Sequence, residues 1–238
     1  MSDLRRFFID EITDQITVTG EEFKHAVSVL RIKVGERVIF CNNTQNEYIA
    51  EITSIGKKEF TANVVETRIN ESETNSEVAL IFGYLKGDKN ELVVQKAVEL
   101  GVKKIIAFSS EYSSAYVNEN KMERLNRVSL EASKQCGRSV YPEVLYAPCF
   151  ADALSMGKDY DNKIFACEFA SESNIRLEDI KGSSAIVIGS EGGFSKEEKA
   201  LADNMGYSTL YLGKRILRAE TACITVTALV MRALGELG

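Results

Sequence analysis

Residues 186–195 read IVIGSEGGFS, and the fold class turns on this stretch. An apolar run, Ile186–Ile188, ends in Gly189, Ser190, Glu191, Gly192 and Gly193. Ser195-Lys196-Glu197-Glu198 then forms a capping box that opens a helix. Strand, glycine turn and helix in succession are the unit from which parallel sheets are built. Three glycines in five residues at the carboxyl end of such a strand let backbone approach a ligand closely. The same residues also suit a tight turn with no ligand. No Gly-Lys-Ser/Thr follows, so this is not a Walker loop, and Ser190-Glu191 breaks the GxGxxG dinucleotide fingerprint. A carboxylate at Glu191 opposes a phosphate there, so the loop alone favours a ligand of cationic character.

The same rhythm extends outward on both sides. Val78–Tyr84 (VALIFGY) is a continuous apolar run, as a strand covered on both faces requires. Asp88 precedes Glu91 by three positions, an N-cap pattern, and Val93, Ala97 and Leu100 then recur at helical spacing up to Gly101. Further strands are expected at Lys104–Phe108, Lys163–Cys167, Ala185–Ile188 and Thr209–Leu212. Helices are expected at Lys121–Cys136, Lys196–Asn204 and from Ala219 to Leu234. This alternation predicts an α/β domain with a mostly parallel sheet over residues 78–238.

Ahead of residue 70 the pattern changes to short segments rich in β-branched and aromatic residues: Arg5–Asp10, Ile16–Thr19, Glu36–Asn42, Glu47–Ile55 and Phe60–Val65. A short helix at Glu21–Val29 interrupts them. These segments predict a small β-barrel over residues 1–70. NESETNSE (70–77) carries three acids and no base, so residues 71–77 are expected to form a polar linker.

The chain has 238 residues, 45% apolar and 27% charged, a globular balance that excludes a disordered chain. No apolar run reaches the roughly 20 residues of a bilayer span, so no membrane association is expected. MSDLRRFFIDE has no apolar core, so it does not read as a secretory signal. Five scattered cysteines, read as buried reduced thiols, fit a cytoplasmic protein, and a single histidine, His25, argues against a metal site. A net charge of −6 does not advertise nucleic-acid binding. Local basic clusters nonetheless stand out: Arg5-Arg6; Arg31, Lys33 and Arg37; and Lys214, Arg215 and Arg218.

A second segment, Leu210–Ala222 (LYLGKRILRAETA), leads from a strand through Gly213 and a basic stretch into the last helix. Ile216 and Leu217 are apolar in a loop, suited either to cover a flat aromatic ligand such as adenine or to fill core. Several motifs now stand together: Arg5-Arg6-Phe7; His25-x4-Leu30-Arg31; Lys86-Gly87-Asp88; and Gln95-Lys96-Ala97-x-Glu99-Leu100-Gly101-Val102. They continue with Gly189-x-Glu191-Gly192-Gly193-Phe194-Ser195 and Leu212-Gly213-x-Arg215-Ile216-Leu217-Arg218-x-Glu220-Thr221-Ala222. Spread in order over the whole chain, they resemble the bacterial RsmE family of the SPOUT methyltransferases. Two departures are visible: Ser190 stands where that family usually has proline, and Lys89 where it often has arginine.

The resemblance implies an N-terminal PUA-like β-barrel that binds RNA and a SPOUT α/β domain with a deep C-terminal trefoil knot. It implies S-adenosylmethionine as cofactor and methylation of N3 of one uridine in 16S ribosomal RNA, acting as a homodimer on that RNA or on the assembled small subunit. Carried over, cofactor contacts fall on Glu168, Ile188, Gly189, Glu191, Gly192, Gly193, Leu212, Gly213, Ile216, Leu217 and Arg218. RNA contacts are expected at Arg5, Arg6, His25, Arg31, Lys86 and Arg138. For chemistry, Arg218 is the candidate to stabilise negative charge on the uracil, and Glu191 or Glu220 to remove the proton or orient that arginine. The bland alternative is a Glu191–Arg218 or Glu220–Arg218 ion pair that only fastens loops. As a whole-protein alternative, a non-catalytic RNA-binding protein with a degenerate SPOUT domain predicts no cofactor binding. A nicotinamide-dependent oxidoreductase predicts an acidic residue after a GxGxxG turn, which is missing.

Overall fold

The computed structural model describes residues 4–112 and 117–238. The chain divides into two compact units. Unit 1 comprises residues 1–73 together with 133–141, and unit 2 comprises 74–132 and 142–238. Residues 133–141, expected from the sequence to belong with the α/β region, thus cluster with the N-terminal one.

In unit 1, strands β1 (Arg6–Phe8), β2 (Gln15–Thr19), β3 (Arg37–Cys41), β4 (Asn46–Ile55) and β5 (Glu59–Ile69) form one sheet in the order β1-β3-β4-β5-β2. The β1–β3 pairing is parallel and the others antiparallel. The two outer strands, β1 and β2, do not pair among the described residues, so the sheet is open at that seam rather than a closed barrel. Helix α1 (Gly20–Lys24) runs into a π-helical turn, His25–Val29. The core is a cluster around Phe7, Phe40 and Phe60, all fully buried.

Two features of unit 1 correct expectations from composition. The acidic stretch is not simply a solvated linker, because Glu73 is buried. Its carboxylate accepts from Arg138 Nε and Nη2 at 3.2 and 3.1 Å and from the backbone N–H groups of Ser139 and Val140 at 2.8 and 2.9 Å. Arg138 is only 3% exposed, so its charge neutralises Glu73 instead of facing solvent. Arg6 is likewise drawn inward: its guanidinium donates to Glu47 at 2.6 Å and to Cys41 Sγ at 3.2 Å. Glu47, itself buried, takes Arg68 as well. Burial pushes the Cys41 thiol up to about 11 despite that arginine, so it stays protonated.

Unit 2 is built on six parallel strands in the order β11-β9-β10-β6-β7-β8. They are β6 (Val78–Gly83), β7 (Lys104–Phe108), β8 (Val144–Ala147), β9 (Asn162–Ala166), β10 (Ser184–Ile188) and β11 (Ser208–Leu210). Every pairing in the sheet is parallel. Helices α2 (Lys89–Glu99), α3 (Glu119–Cys136), α4 (Phe150–Met156), α5 (Lys196–Asn204) and α6 (Ala219–Ala233) connect or follow them. β6 and β10 are buried at every position, which is why they read as unbroken apolar runs. Strand β8 and helix α4 were not expected from the sequence; at seven residues α4 spans too few turns for helical periodicity to show.

The capping box at α5 forms as read: Ser195 Oγ accepts from Glu198 N–H at 3.1 Å, and Glu198 accepts from Ser195 N–H at 2.9 Å. At α2 the expected Asp88 cap is not made. Asn90 closes the turn instead, accepting from Leu85 N–H at 2.8 Å and donating to Leu85 O at 2.7 Å. Helix α6 packs on α2, β6 and β10, with Leu229 left exposed. Of the five free cysteines Cys41, Cys167 and Cys223 are buried, whereas Cys136 and Cys149 are exposed. Among the described residues no helix is long and apolar enough to cross a membrane, and no group of metal-ligating side chains gathers.

Candidate active site

At the carboxyl ends of β9 and β10, where parallel sheets expose their loop clusters, unit 2 carries a cavity of about 690 Å³. Its walls are the stretch after β9 (Ala166–Ala170), the glycine turn Ile188–Gly193 and the basic stretch Tyr211–Ala219, with Lys89 and Ala222 completing it.

The glycine turn is held from below. Phe194 is fully buried against Phe165, with ring centroids 4.3 Å apart, and against Phe150 at 5.5 Å. Burying such a ring contributes about 1.5–3 kcal/mol. Gly193 N–H donates to Ser190 O at 3.0 Å, closing the turn, and Gly193 itself has a left-handed φ of 70°. Ser190 keeps the turn attached to the sheet, its hydroxyl 2.8 Å from that of Ser110. Gly83, at the end of β6, lets the turn lie this close: a Cβ there would stand 2.5 Å from Ser190 N. On the opposite wall Glu168 accepts from Phe194 N–H at 2.9 Å, in space a side chain on Gly193 would fill. Cys167 beside it is kept protonated by burial, which raises its pKa against weaker local hydrogen bonds.

The charges are arranged differently from what spacing suggested. Glu191 does not stand alone in the turn: Lys89 Nζ donates to its Oε1 at 2.9 Å and Lys86 N–H at 3.0 Å. Burial pushes the Glu191 carboxyl up, but these donors outweigh it and hold it below its ordinary 4.5. The hydrogen bond to Glu191 raises the Lys89 ammonium above 10.5, against burial and the nearby Arg218. Because the acid is depressed and the base raised, the contact is intact between these values. It is lost as pH falls through the lowered carboxyl pKa or rises past that of the ammonium. Glu220, in the first turn of α6, sits 3.8 Å from Lys89 through Oε2, a buried atom with no hydrogen-bond partner. Neither a Glu191–Arg218 nor a Glu220–Arg218 ion pair forms among the described residues. Lys89 takes both carboxylates, and the guanidinium of the exposed Arg218, N-cap residue of α6, has no partner among the described residues.

Every residue expected at the cofactor lines this one cavity: Glu168, Ile188, Gly189, Glu191, Gly192, Gly193, Leu212, Gly213, Ile216, Leu217 and Arg218. Ile216 is 88% exposed, so it stands over the opening, while Leu217 is half-buried. Of the three residues considered for chemistry, Arg218 and Glu191 line the cavity and Glu220 does not. Lys89, Tyr211, Cys167 and Phe169 also line it; none of them was expected at the site, although Lys89 stands out in the sequence as a departure from the resembled family. The wall holds four basic side chains (Lys89, Lys214, Arg215, Arg218) against two acidic ones (Glu168, Glu191). It therefore suits anionic groups as well as a cation, contrary to the reading of the glycine loop alone.

Outside the cavity, Lys86 is exposed, and Arg31 is exposed with a left-handed φ of 52°. His25 is half-buried, Arg5 is paired with Glu36 at 3.0 Å, and Arg6 and Arg138 are committed to buried carboxylates.

Comparison with known proteins agrees with this architecture. Residues 72–231 match the family described as RNA methyltransferase domain, and residues 18–65 match RNA methyltransferase PUA domain. The chain is 32% identical to ribosomal RNA small subunit methyltransferase E of Bacillus subtilis, covering 92% of this chain and 93% of that one. It is 32% identical to the protein of the same name from Rickettsia conorii, covering 93% and 91%. The Neisseria gonorrhoeae protein of that name, solved bound to S-adenosyl methionine, superposes with a TM-score of 0.87 at 26% identity, covering 97% of this chain and 98% of that one. With its domain match spanning most of unit 2 and relatives aligned over nearly the full length, this chain belongs to the ribosomal RNA small subunit methyltransferase E family.

Proposed function

We propose that this chain methylates small-subunit ribosomal RNA from S-adenosylmethionine, at N3 of a uridine in the 16S molecule. The observation that carries the reading is the cavity itself, in which two turns of a family member converge around an unpaired arginine. The residues present fit the cofactor. The volume lies within the range of about 300–1,000 Å³ usual for small-molecule sites. Ile188, Leu212, Leu217 and Ala222 offer an apolar wall for a purine, and bare backbone at Gly192 and Gly193 leaves room that a Cβ would take from Tyr112 and Glu168. When bound, the cofactor supplies an electrophilic methyl group on a sulfonium.

The protein's share of the work is positioning and charge stabilisation. N3 of uridine carries a proton that must leave as the nitrogen attacks, and negative charge then develops on the flanking oxygens. Arg218 offers an unpaired guanidinium to that charge. Glu191, already paired with an ammonium, is a weak base, and Glu220 lies behind the wall, so both carboxylates orient neighbours and the proton leaves to water at the mouth. The basic excess of the wall, with Lys86 at its rim, suits the RNA backbone. In unit 1 the exposed Arg31, held in a conformation that costs an arginine about 1 kcal/mol or more, is the best-placed phosphate contact. Arg5 and His25 are secondary to it, and Arg6 and Arg138 act on buried carboxylates.

The finer architecture belongs to the same reading. A knot in the SPOUT manner is supported by the path of the chain: residues 211–218 return from the edge strand β11 to α6, which packs on β10 and β6. The loop after β9 is strapped across that path, with Asn174 N–H donating to Thr209 O at 3.1 Å and Tyr211 N–H to Ser173 Oγ at 2.9 Å. A homodimer is supported by exposed apolar side chains at Ile216 and Leu229, and a cytoplasmic setting by five free thiols and the ribosomal substrate.

Mass spectrometry of 16S RNA from cells lacking the gene tests the activity. One 3-methyluridine should vanish and return with the wild-type gene. An unchanged modification pattern, as a non-catalytic RNA-binding protein would give, refutes it.

A further inference from the structure

Four ionisable side chains meet where Lys86–Lys89 faces the two turns: Lys89, Arg218, Glu191 and Glu220. With two charges of each sign, each acid and base could pair off one to one. The observed arrangement is lopsided. Lys89 Nζ is 2.9 Å from Glu191 Oε1 and 3.8 Å from Glu220 Oε2, whereas Arg218 holds no carboxylate. Yet Arg218 lines the same cavity as Lys89 and Glu191 and stands two positions before Glu220 at the start of α6, so the same carboxylates lie in its neighbourhood. Glu220 Oε2 is buried and has no hydrogen-bond partner, which leaves it open to a better donor. A guanidinium is such a donor, because its fork matches a carboxylate at two points where an ammonium meets it at one.

We infer that Lys89 is a positioning residue whose ammonium occupies Glu191 and Glu220 and thereby keeps Arg218 unpaired for the anionic groups of the RNA substrate. This inference rests on the methyl-transfer reading of the cavity. Its physical content is competition. Remove the ammonium, and two acids lose their counter-ion beside a flexible arginine, which then folds back onto them. Retain a cation at position 89, and Arg218 stays available. A purely structural role for Lys89 would instead loosen the glycine turn and weaken cofactor binding while leaving Arg218 where it is.

The test compares Lys89→Met, Lys89→Arg and a Lys89→Met/Glu191→Gln/Glu220→Gln triple variant. The readouts are methylation of small-subunit RNA, RNA affinity without cofactor, and the crystal structure of Lys89→Met. In Lys89→Met, kcat should fall ~10–100-fold, approaching the effect of removing one charge-stabilising donor, with little change in KM for the cofactor. RNA affinity without cofactor should also fall and its salt dependence flatten by about one phosphate contact. Lys89→Arg should stay within about threefold of wild type, since it keeps the charge, and the triple variant should recover most of the loss. The Lys89→Met structure should place the Arg218 guanidinium within salt-bridge distance of Glu191 or Glu220. A Lys89→Met structure with Arg218 still unpaired overturns the inference, as does a kcat near wild type. Should the wild-type protein methylate no RNA, the functional reading fails, and the position of Arg218 in that structure still decides the inference.

Discussion

Arg218→Ala is expected to lower kcat for RNA methylation about 10²–10³-fold, the usual loss when one donor to developing negative charge is removed. S-adenosylmethionine affinity should stay within a few-fold of wild type. The asymmetry follows from the geometry. Arg218 is exposed at the start of α6, has no partner among the described residues, and faces a site whose two nearby carboxylates are already taken by Lys89. Its removal therefore strands no buried charge and opens no core, so the melting temperature should scarcely move. Turnover under saturating cofactor, with calorimetry of cofactor binding alongside, separates the possibilities. Near-wild-type turnover with unchanged affinity would show that Arg218 has no part in the chemistry. Arg218→Lys keeps the charge but not the fork, and an intermediate rate would assign part of the effect to bidentate contact.

Arg138→Ala should destabilise unit 1 by about 3–5 kcal/mol, the cost of leaving a buried carboxylate without its counter-ion. Glu73 is as buried as its partner, with side chains 2% and 4% exposed, and it organises the backbone of Ser139 and Val140 as well. Denaturant unfolding measures this directly. A variant of unchanged stability with weakened RNA binding would restore Arg138 to the RNA-contacting role expected from its charge. Replacing both partners by apolar residues of similar volume should recover much of the loss, since the penalty lies in the unpaired charge rather than in a large net gain from the pair.

These two arginines show where the sequence was readable and where it was not. Helix starts written in local chemistry could be read directly, as with Ser195 and Glu198, and so could strands buried on both faces, such as Val78–Gly83 and Ser184–Ile188. The same held for the two turns that make the cavity, because glycine spacing and the Arg-Ile-Leu-Arg stretch are local signals. Tertiary charge pairing is not local. Arg138 meets Glu73 across 65 positions, Arg6 meets Glu47 across 41, and Lys89 meets Glu191 across 102. Nothing in the flanking residues distinguishes these from surface arginines and lysines. The acidic stretch at 70–77 misled for the same reason: its polarity reads as solvation until a distant guanidinium is placed on it. Asp88 and Asn90 illustrate a subtler miss, in which the better-spaced acid stays in solvent and the amide two positions on, able both to donate and to accept, closes the turn.

On the proposed reading the Gly189–Gly193 and Leu212–Arg218 turns together hold the methyl donor. A crystal grown with S-adenosylmethionine tests it most directly. Density for the cofactor is expected between those turns, with its purine against Leu212 and Leu217. Density elsewhere on the protein, or none at saturating concentration, would contradict it.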